Sequence, residues 1–270
     1  ESYDPRVFAT MLLATAVICA FFWWVSIARA EKRAAQAVSG RLSAGQKSAS
    51  AAIKHIWQDG RVRRFFAFLF VATFAAWMQD NILEPFGADV FGLDAGKTTR
   101  FTGYWGGVTI LILAASFIIW RKRPPETLAP FAKMGLGIMA LGMALLAGLT
   151  LAGQAHWLTP ALMVFGLGFG LYSFGGFSLM AVMSPDQNAG AYLGLWSVCI
   201  LTSKGLGTFA GGLFRDVFFL GAGWPAALSY ALIFVMAAAG LLAAAAILSG
   251  RQVISFAADY GRPVEKSNPN

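Results

Sequence analysis

Trp77, Asp80, Asn81 and Glu84 are spaced i, i+3, i+4 and i+7, and Gln79 lies among them in the stretch WMQDNILEPFG. On one continuous helix that spacing puts an indole, two carboxylates and an amide on a single face. The stretch follows FFAFLFVATFAA, a run without a charge. Two carboxylates turned toward lipid would each cost at least roughly 2.5–3.5 kcal/mol, so the face is expected to look inward or into water. Such a face can hold a proton, ligate a cation weakly, or pair with a buried base. The plainer alternative is that Glu84, and to a lesser degree Asp80 one turn deeper, simply marks a helix end at the membrane interface. Lys204, in SVCILTSKGLGTFAGG, is the other charge inside an apolar run. Counted along their helices at about 1.5 Å per residue, Lys204 and Asp80 reach similar depths. The expectation is an Asp80–Lys204 or Glu84–Lys204 ion pair, the alternative being a Lys204 that snorkels outward alone.

The elements that position these groups are membrane helices. The chain is 57% hydrophobic and only 13% charged, against about 25% charged in soluble domains. Seven runs are long enough for a hydrocarbon core of about 30 Å: Val7–Arg29, Arg64–Gly87, Thr98–Trp120, Phe131–Ala152, Trp157–Met183, Ala191–Leu213 and Trp224–Leu248. Pro85 and Gly87 are expected to end the second run, leaving ADVFGLDAG as an outer loop. The opening ESYDPR has no basic region before the first apolar run, so it does not read as a signal peptide. The chain reads instead as the later part of a longer protein.

The net charge of +8 could suggest a nucleic-acid partner, but its distribution argues for membrane orientation and against nucleic acid. Sixteen of the 21 basic residues fall in the stretch 29–64, in the loop around Arg121–Lys133, or after the last span. Those segments are expected to be cytoplasmic. Within the long linker, Ile53, Ile56 and Trp57 are spaced for a short amphipathic helix on the membrane surface, or the linker is simply solvated.

The expected fold is therefore all-α, a polytopic bundle of seven spans. It divides into a first helix (1–29), a basic linker (30–63), six helices (64–250) and a tail (251–270). One helix, a long basic loop and six more helices is the pattern of a twelve-helix transporter cut before its sixth helix.

Chemistry of other kinds is poorly supported. No DxxxD pair, nucleophile–base pair or metal-ligand cluster stands out. His55 lies in the linker and His156 beside Trp157 at the outer edge, so neither histidine stands at mid-membrane. Gln79, Asn81, a carboxylate or a water could ligate a divalent cation weakly. The glycines of GLGFG (Gly166–Gly170) and GLGTFAGG (Gly205–Gly212) read as close helix packing.

The stretch AAWMQDNILEPFGADVFGLDAGKTTRFTGYWG, with NAGAYLGLWS from Asn188 to Ser197 and the opening ESYDPR, resembles the PucC/LhaA family. These are major-facilitator-like proteins of phototrophic bacteria, also called the bacteriochlorophyll delivery family. The resemblance covers nearly the whole chain, but only helices 6–12 of a family member. It implies a membrane factor that helps assemble light-harvesting complexes; some relatives are labelled as bacteriochlorophyll synthase subunits, but without a DxxxD pair no enzyme is expected. Bacteriochlorophyll would be a transient ligand with no permanent cofactor, and the partners would be antenna polypeptides, the lipid bilayer and the missing N-terminal half of the fold. It also implies a bacterial inner membrane as the location. Gln79, Asp80, Asn81, Glu84 and Trp77, with Lys204 as buried charge partner, are then the candidates for a ligand or pigment pathway. A proton-coupled secondary transporter of a small solute remains the alternative.

Overall fold

The computed structural model describes residues 5–28, 58, 60–120, 122–123, 129–183 and 189–249. The expected amphipathic linker helix, His55 and the C-terminal tail lie outside the described residues. Two compact units divide the chain, residues 1–48 and residues 49–270. The first contributes helix α1 (Pro5–Ala28), apolar on every face with Phe8, Leu12, Phe22 and Trp23 all exposed. A helix without a polar face is suited to lipid rather than water.

The second unit holds α2 (Gly60–Trp77), α3 (Leu83–Phe91), the single turn α4 (Ala95–Thr98), α5 (Arg100–Trp120), α6 (Ala129–Leu151), α7 (Leu158–Met183), α8 (Ala189–Arg215) and α9 (Ala226–Leu248). All regular structure among the described residues is helical. Among the described residues six helices are long and apolar enough to cross a membrane: α1, α4 with α5, α6, α7, α8, and α9. With α2 they account for the seven expected runs. Helix α2 differs because Arg61, Arg63 and Arg64 crowd its first turn. Its 18 residues still rise about 27 Å, close to a hydrocarbon core.

The six long helices of this unit pack in the series α5, α7, α6, α9, α2, α8. Helices α5 and α8 end the series and are the least buried of its apolar spans. In lipid there is no hydrophobic drive between helices, so close contact must come from small residues that let backbones meet. The glycine runs do this. In α7, a Cβ on Gly166 would strike the Trp105 carbonyl of α5, and one on Gly170 would lie 2.8 Å from Ile112 Cβ. Between them Gly168 faces the other neighbour, where an added Cβ would lie 2.5 Å from Met139 N of α6. In α8, Gly207 abuts the Phe74 carbonyl and Gly211 the Met78 carbonyl, both of α2.

The expectation for the end of the second run needs correcting. The helix does not continue from Trp77 through Glu84 and stop at Pro85. It stops at Trp77, turns through Met78–Ile82, and restarts as α3, which runs through both Pro85 and Gly87. Proline acts upstream here. A continuous helix would need a Pro85 N–H for the Asn81 carbonyl and would drive the ring into that carbonyl. Moved to the first turn of a new helix, Pro85 needs no such bond. Tight bonds from Asp80 N to Trp77 O (3.2 Å) and from Ile82 N to Gln79 O (3.2 Å) span the turn. Helix α3 ends at Gly92, whose φ of 61° closes a left-handed cap through Leu93 N to Gly87 O at 3.1 Å.

Gly211→Ala should thus destabilise the bundle by about 1–3 kcal/mol through overpacking against α2. Gly148→Ala, where a new Cβ meets open space, should be neutral or slightly stabilising. Unfolding of both variants in detergent separates the two, and equal stability would remove the backbone-contact account.

Candidate functional site

Because the helix breaks at Met78, Trp77, Asp80, Asn81 and Glu84 do not share one helical face. Trp77 is the last residue of α2 and is half-buried, as is Asp80 in the turn. Gln79 is 1% exposed, and its Oε1 has no hydrogen-bond partner. Asn81 and Glu84 are exposed. Glu84 sits in the first turn of α3, where a carboxylate is favoured by the positive helix end.

Lys204 reaches this region from α8, where it stands at i, i+3 and i+7 with Gly207 and Gly211 and so shares their α2-facing side. Its Nζ lies 3.6 Å from the centroid of the Trp77 ring. The expected ion pair is replaced by this contact: among the described residues no salt bridge joins Lys204 to Asp80 or Glu84. Asp80 is nonetheless close enough that the charge of Lys204 acts on its carboxylate. The indole belongs to the last turn of α2, whereas Asp80 lies beyond it in the turn Met78–Ile82.

Trp77 is itself held by aromatic rings. It meets Trp105 of α5 edge-on at 6.2 Å and Phe169 of α7 at 5.9 Å. Trp105 also meets Phe165 and Phe169, each at 5.6 Å. The indole Nε1 of Trp105 is buried without a partner. The site is thus an ammonium on an aromatic wall built by α2, α5 and α7, with a carboxylate nearby and two unpaired polar atoms, one on Gln79 in the turn after α2 and one on Trp105 of α5. Chemically it offers apolar rings and, in Asp80, a carboxylate that can carry a proton. Sequence spacing did not point to Trp105 or Phe169, since their convergence requires three separate helices.

A second polar cluster was also missed. Asp89 of α3, Arg215 at the end of α8 and Tyr230 of α9 form a closed triangle. Arg215 Nη2 donates to Asp89 Oδ2 at 2.8 Å, Arg215 Nε donates to Tyr230 Oη at 2.8 Å, and the Tyr230 hydroxyl donates to Asp89 Oδ2 at 2.6 Å. Tyr230 is fully buried and its ring stands on Phe86. Burial alone would push the Asp89 carboxyl up. The bonds from Tyr230 and Arg215, with the guanidinium charge, outweigh it and hold Asp89 below the ordinary carboxylate range. The available signal was an acid and a base at helix ends expected on the same side, which no local spacing linked.

Two predictions follow from these clusters. Lys204→Met and Trp77→Leu should be non-additive in unfolding free energy, with a coupling of about 0.5–2 kcal/mol; additivity would show that the ammonium–ring contact contributes nothing. A carboxylate with a depressed pKa stabilises the fold above its unfolded value and loses that contribution as pH falls through the folded value. The melting temperature should therefore drop on acidification below the ordinary aspartate value of 3.8. In Asp89→Asn it should be lower at neutral pH and its acid decline shallower; an unchanged acid decline would clear Asp89 of that role.

The chain is similar to several curated proteins. It is 28% identical over 217 residues to Protein PucC of Rhodovulum sulfidophilum, a match covering 78% of this chain and 45% of the relative. It is 29% identical over 204 residues to the Bacteriochlorophyll synthase 44.5 kDa chain of Rhodobacter capsulatus, covering 73% and 46%. A third relative, an uncharacterized protein in the puhA-bchM intergenic region of Rhodobacter capsulatus, is 30% identical over 184 residues, covering 64% and 37%. The chain spans under half the length of these relatives. No solved structure matches it significantly. The family described as PUCC protein matches residues 1–255, and a membrane-spanning helical bundle with this match over nearly its whole length belongs to the PucC family.

Proposed function

We propose that this chain is part of a membrane factor for assembling photosynthetic light-harvesting complexes, one that hands bacteriochlorophyll to antenna polypeptides. The family match over residues 1–255 carries this reading. A relative named for bacteriochlorophyll synthase supports the pigment connection. We read the role as non-enzymatic despite that name, because the chain has no aspartate-rich pair to hold a magnesium diphosphate.

Bacteriochlorophyll is the cargo in this reading. The aromatic wall of Trp77, Trp105 and Phe169 would take the flat ring. The unpaired Gln79 Oε1 is an oxygen of the type that magnesium accepts weakly. His156, on a short turn before α7, is exposed beside Trp157 and suits an interfacial place better than a ligand's. Weak oxygen ligation favours release, which a handover step requires.

We read the second unit as the six-helix C-terminal half of a major facilitator fold in the bacterial inner membrane, with linker and C-terminus cytoplasmic. The relatives are about twice as long as the stretch matched. Their remaining helices would cover the exposed faces of α5 and α8, where Ile110, Leu111, Ile118, Val198, Leu201 and Phe209 stand clear. Lys204 with Asp80 nearby also supports a second reading, proton-coupled transport of a small solute.

Absorption spectroscopy and peptide analysis of the protein, gently purified from phototrophically grown cells, separate the two. Handover predicts bacteriochlorophyll bands and stoichiometric antenna polypeptides, both weakened in an Asp80→Asn, Lys204→Met double variant. A colourless, partner-free preparation that drives proton-coupled uptake would replace it with the transporter reading.

A further inference from the structure

The break in the second apolar run leaves oxygens without donors. Helix α2 ends at Trp77 and turns the negative end of its dipole toward Met78–Ile82. Within that turn the Trp77 carbonyl accepts from Asp80 N, and the Gln79 carbonyl from Ile82 N and Leu83 N. The carbonyls of Met78, Asp80 and Asn81 accept no backbone hydrogen bond among the described residues. For Asn81 the cause is covalent, since Pro85, four residues on, has no N–H to give. The Gln79 side chain lies in the same turn, 1% exposed, and its Oε1 has no partner. The half-buried Asp80 carboxylate joins no salt bridge among the described residues.

Free carbonyls at the C-terminal end of an interrupted membrane helix are suited to a cation, because they need no intrahelical bond broken to reach it. A buried amide oxygen without a donor is costly, and an ion relieves that cost. The charge of the turn decides which ion. Asp80 is its one carboxylate, and Lys204 acts on that carboxylate from α8 without bonding to it. No three His, Cys, Asp or Glu side chains gather into a metal site among the described residues. A divalent ion would want more negative charge than one carboxylate beside an ammonium. Lys204 rests on the Trp77 ring at 3.6 Å, which leaves the Asp80 oxygens open to a second cation. Asn81, exposed at the edge of the turn, gives that cation a way in from water. We propose that the turn Met78–Ile82 binds a monovalent alkali cation through Gln79 Oε1, the Asp80 carboxylate and the free carbonyls of the turn. The ion and a pigment's magnesium would compete for Gln79 Oε1. The cation site therefore belongs to the protein without pigment and stands whether or not the handover reading does.

Thermal unfolding of the whole chain in detergent, in sodium chloride and in choline chloride of equal concentration, tests the site. Choline brings the same charge and ionic strength in a cation whose methyl groups keep oxygens from closing around it. The parent should melt about 3–6 °C higher in sodium, the shift expected when an ion at roughly ten times its dissociation constant stabilises a chain of this size. Gln79→Leu and Asp80→Asn should each lose most of that shift. Lys204→Met, which removes the neighbouring positive charge, should enlarge it. Asp94→Asn, at the exposed cap of α4, should keep it. Equal melting of the parent in the two salts would overturn the proposal. So would an undiminished sodium shift in Gln79→Leu or in Asp80→Asn, each judged on its own melting curve. An equal loss in Asp94→Asn would overturn it as well, by reducing the effect to surface charge.

Discussion

The contact on which the rest of this architecture depends is the approach of α8 to α2, backbone against backbone. Gly207 meets the Phe74 carbonyl and Gly211 the Met78 carbonyl, with no room for a side chain at either glycine. In lipid, apolar side chains gain nothing by leaving their surroundings, so helices are held by contact area and by polar groups that need one another. A glycine face supplies the contact area. It also fixes the register of everything else on that face. Lys204 stands three residues before Gly207, so the backbone contact that seats α8 also sets the lysine over the Trp77 ring.

This arrangement resolves the problem of an ammonium inside an apolar helix. An isolated charge there is costly, and a bare carboxylate partner would have to give up its own hydration as well. An indole asks less. Its face attracts a cation without needing to be solvated itself, and the attraction strengthens where water is excluded. Asp80 stays within reach of the lysine's charge and retains its own half-exposed position. The position of Trp77 matters equally. Being the last residue of α2, it can reach past the helix end to Trp105 and Phe169, which hold the ring edge-on while its face stays available to Lys204.

Most of the fold was legible because membrane helices state themselves plainly. Apolar runs of sufficient length, basic residues between them and glycine pairs at helical spacing each report one local physical requirement. The break at Met78 was readable in principle but was placed on the wrong side of Pro85. A proline disturbs the turn before it, because the missing N–H and the ring both act on the residue four positions earlier. Assigning the break downstream produced a shared face for Trp77, Asp80, Asn81 and Glu84 that the backbone does not form. The aromatic wall and the Asp89–Arg215–Tyr230 triangle were not legible at all. Their members are 126 and 141 residues apart in the case of Asp89 with Arg215 and Tyr230, and no period links such positions. Lys204 itself was found because a lone charge in an apolar run is conspicuous, yet its partner was misjudged, since spacing shows depth and says little about which neighbour a side chain meets first.

The two polar clusters differ in a way that bears on where function resides. In the Asp89 triangle the tyrosine, the arginine and the carboxylate satisfy one another, and the buried Tyr230 hydroxyl both donates and accepts. A network closed in this manner stiffens the junction of α3, α8 and α9 and leaves little to offer a visitor. Around Trp77 the accounts are left open. Gln79 Oε1 and Trp105 Nε1 are buried and unpaired, and the cation is held by a ring rather than by an anion. Buried polar atoms without partners are uncommon in folded proteins and call for a reason. A closed cluster suits a fastening. An open one, set among aromatic rings, leaves its polar atoms unanswered and its cation resting on an indole.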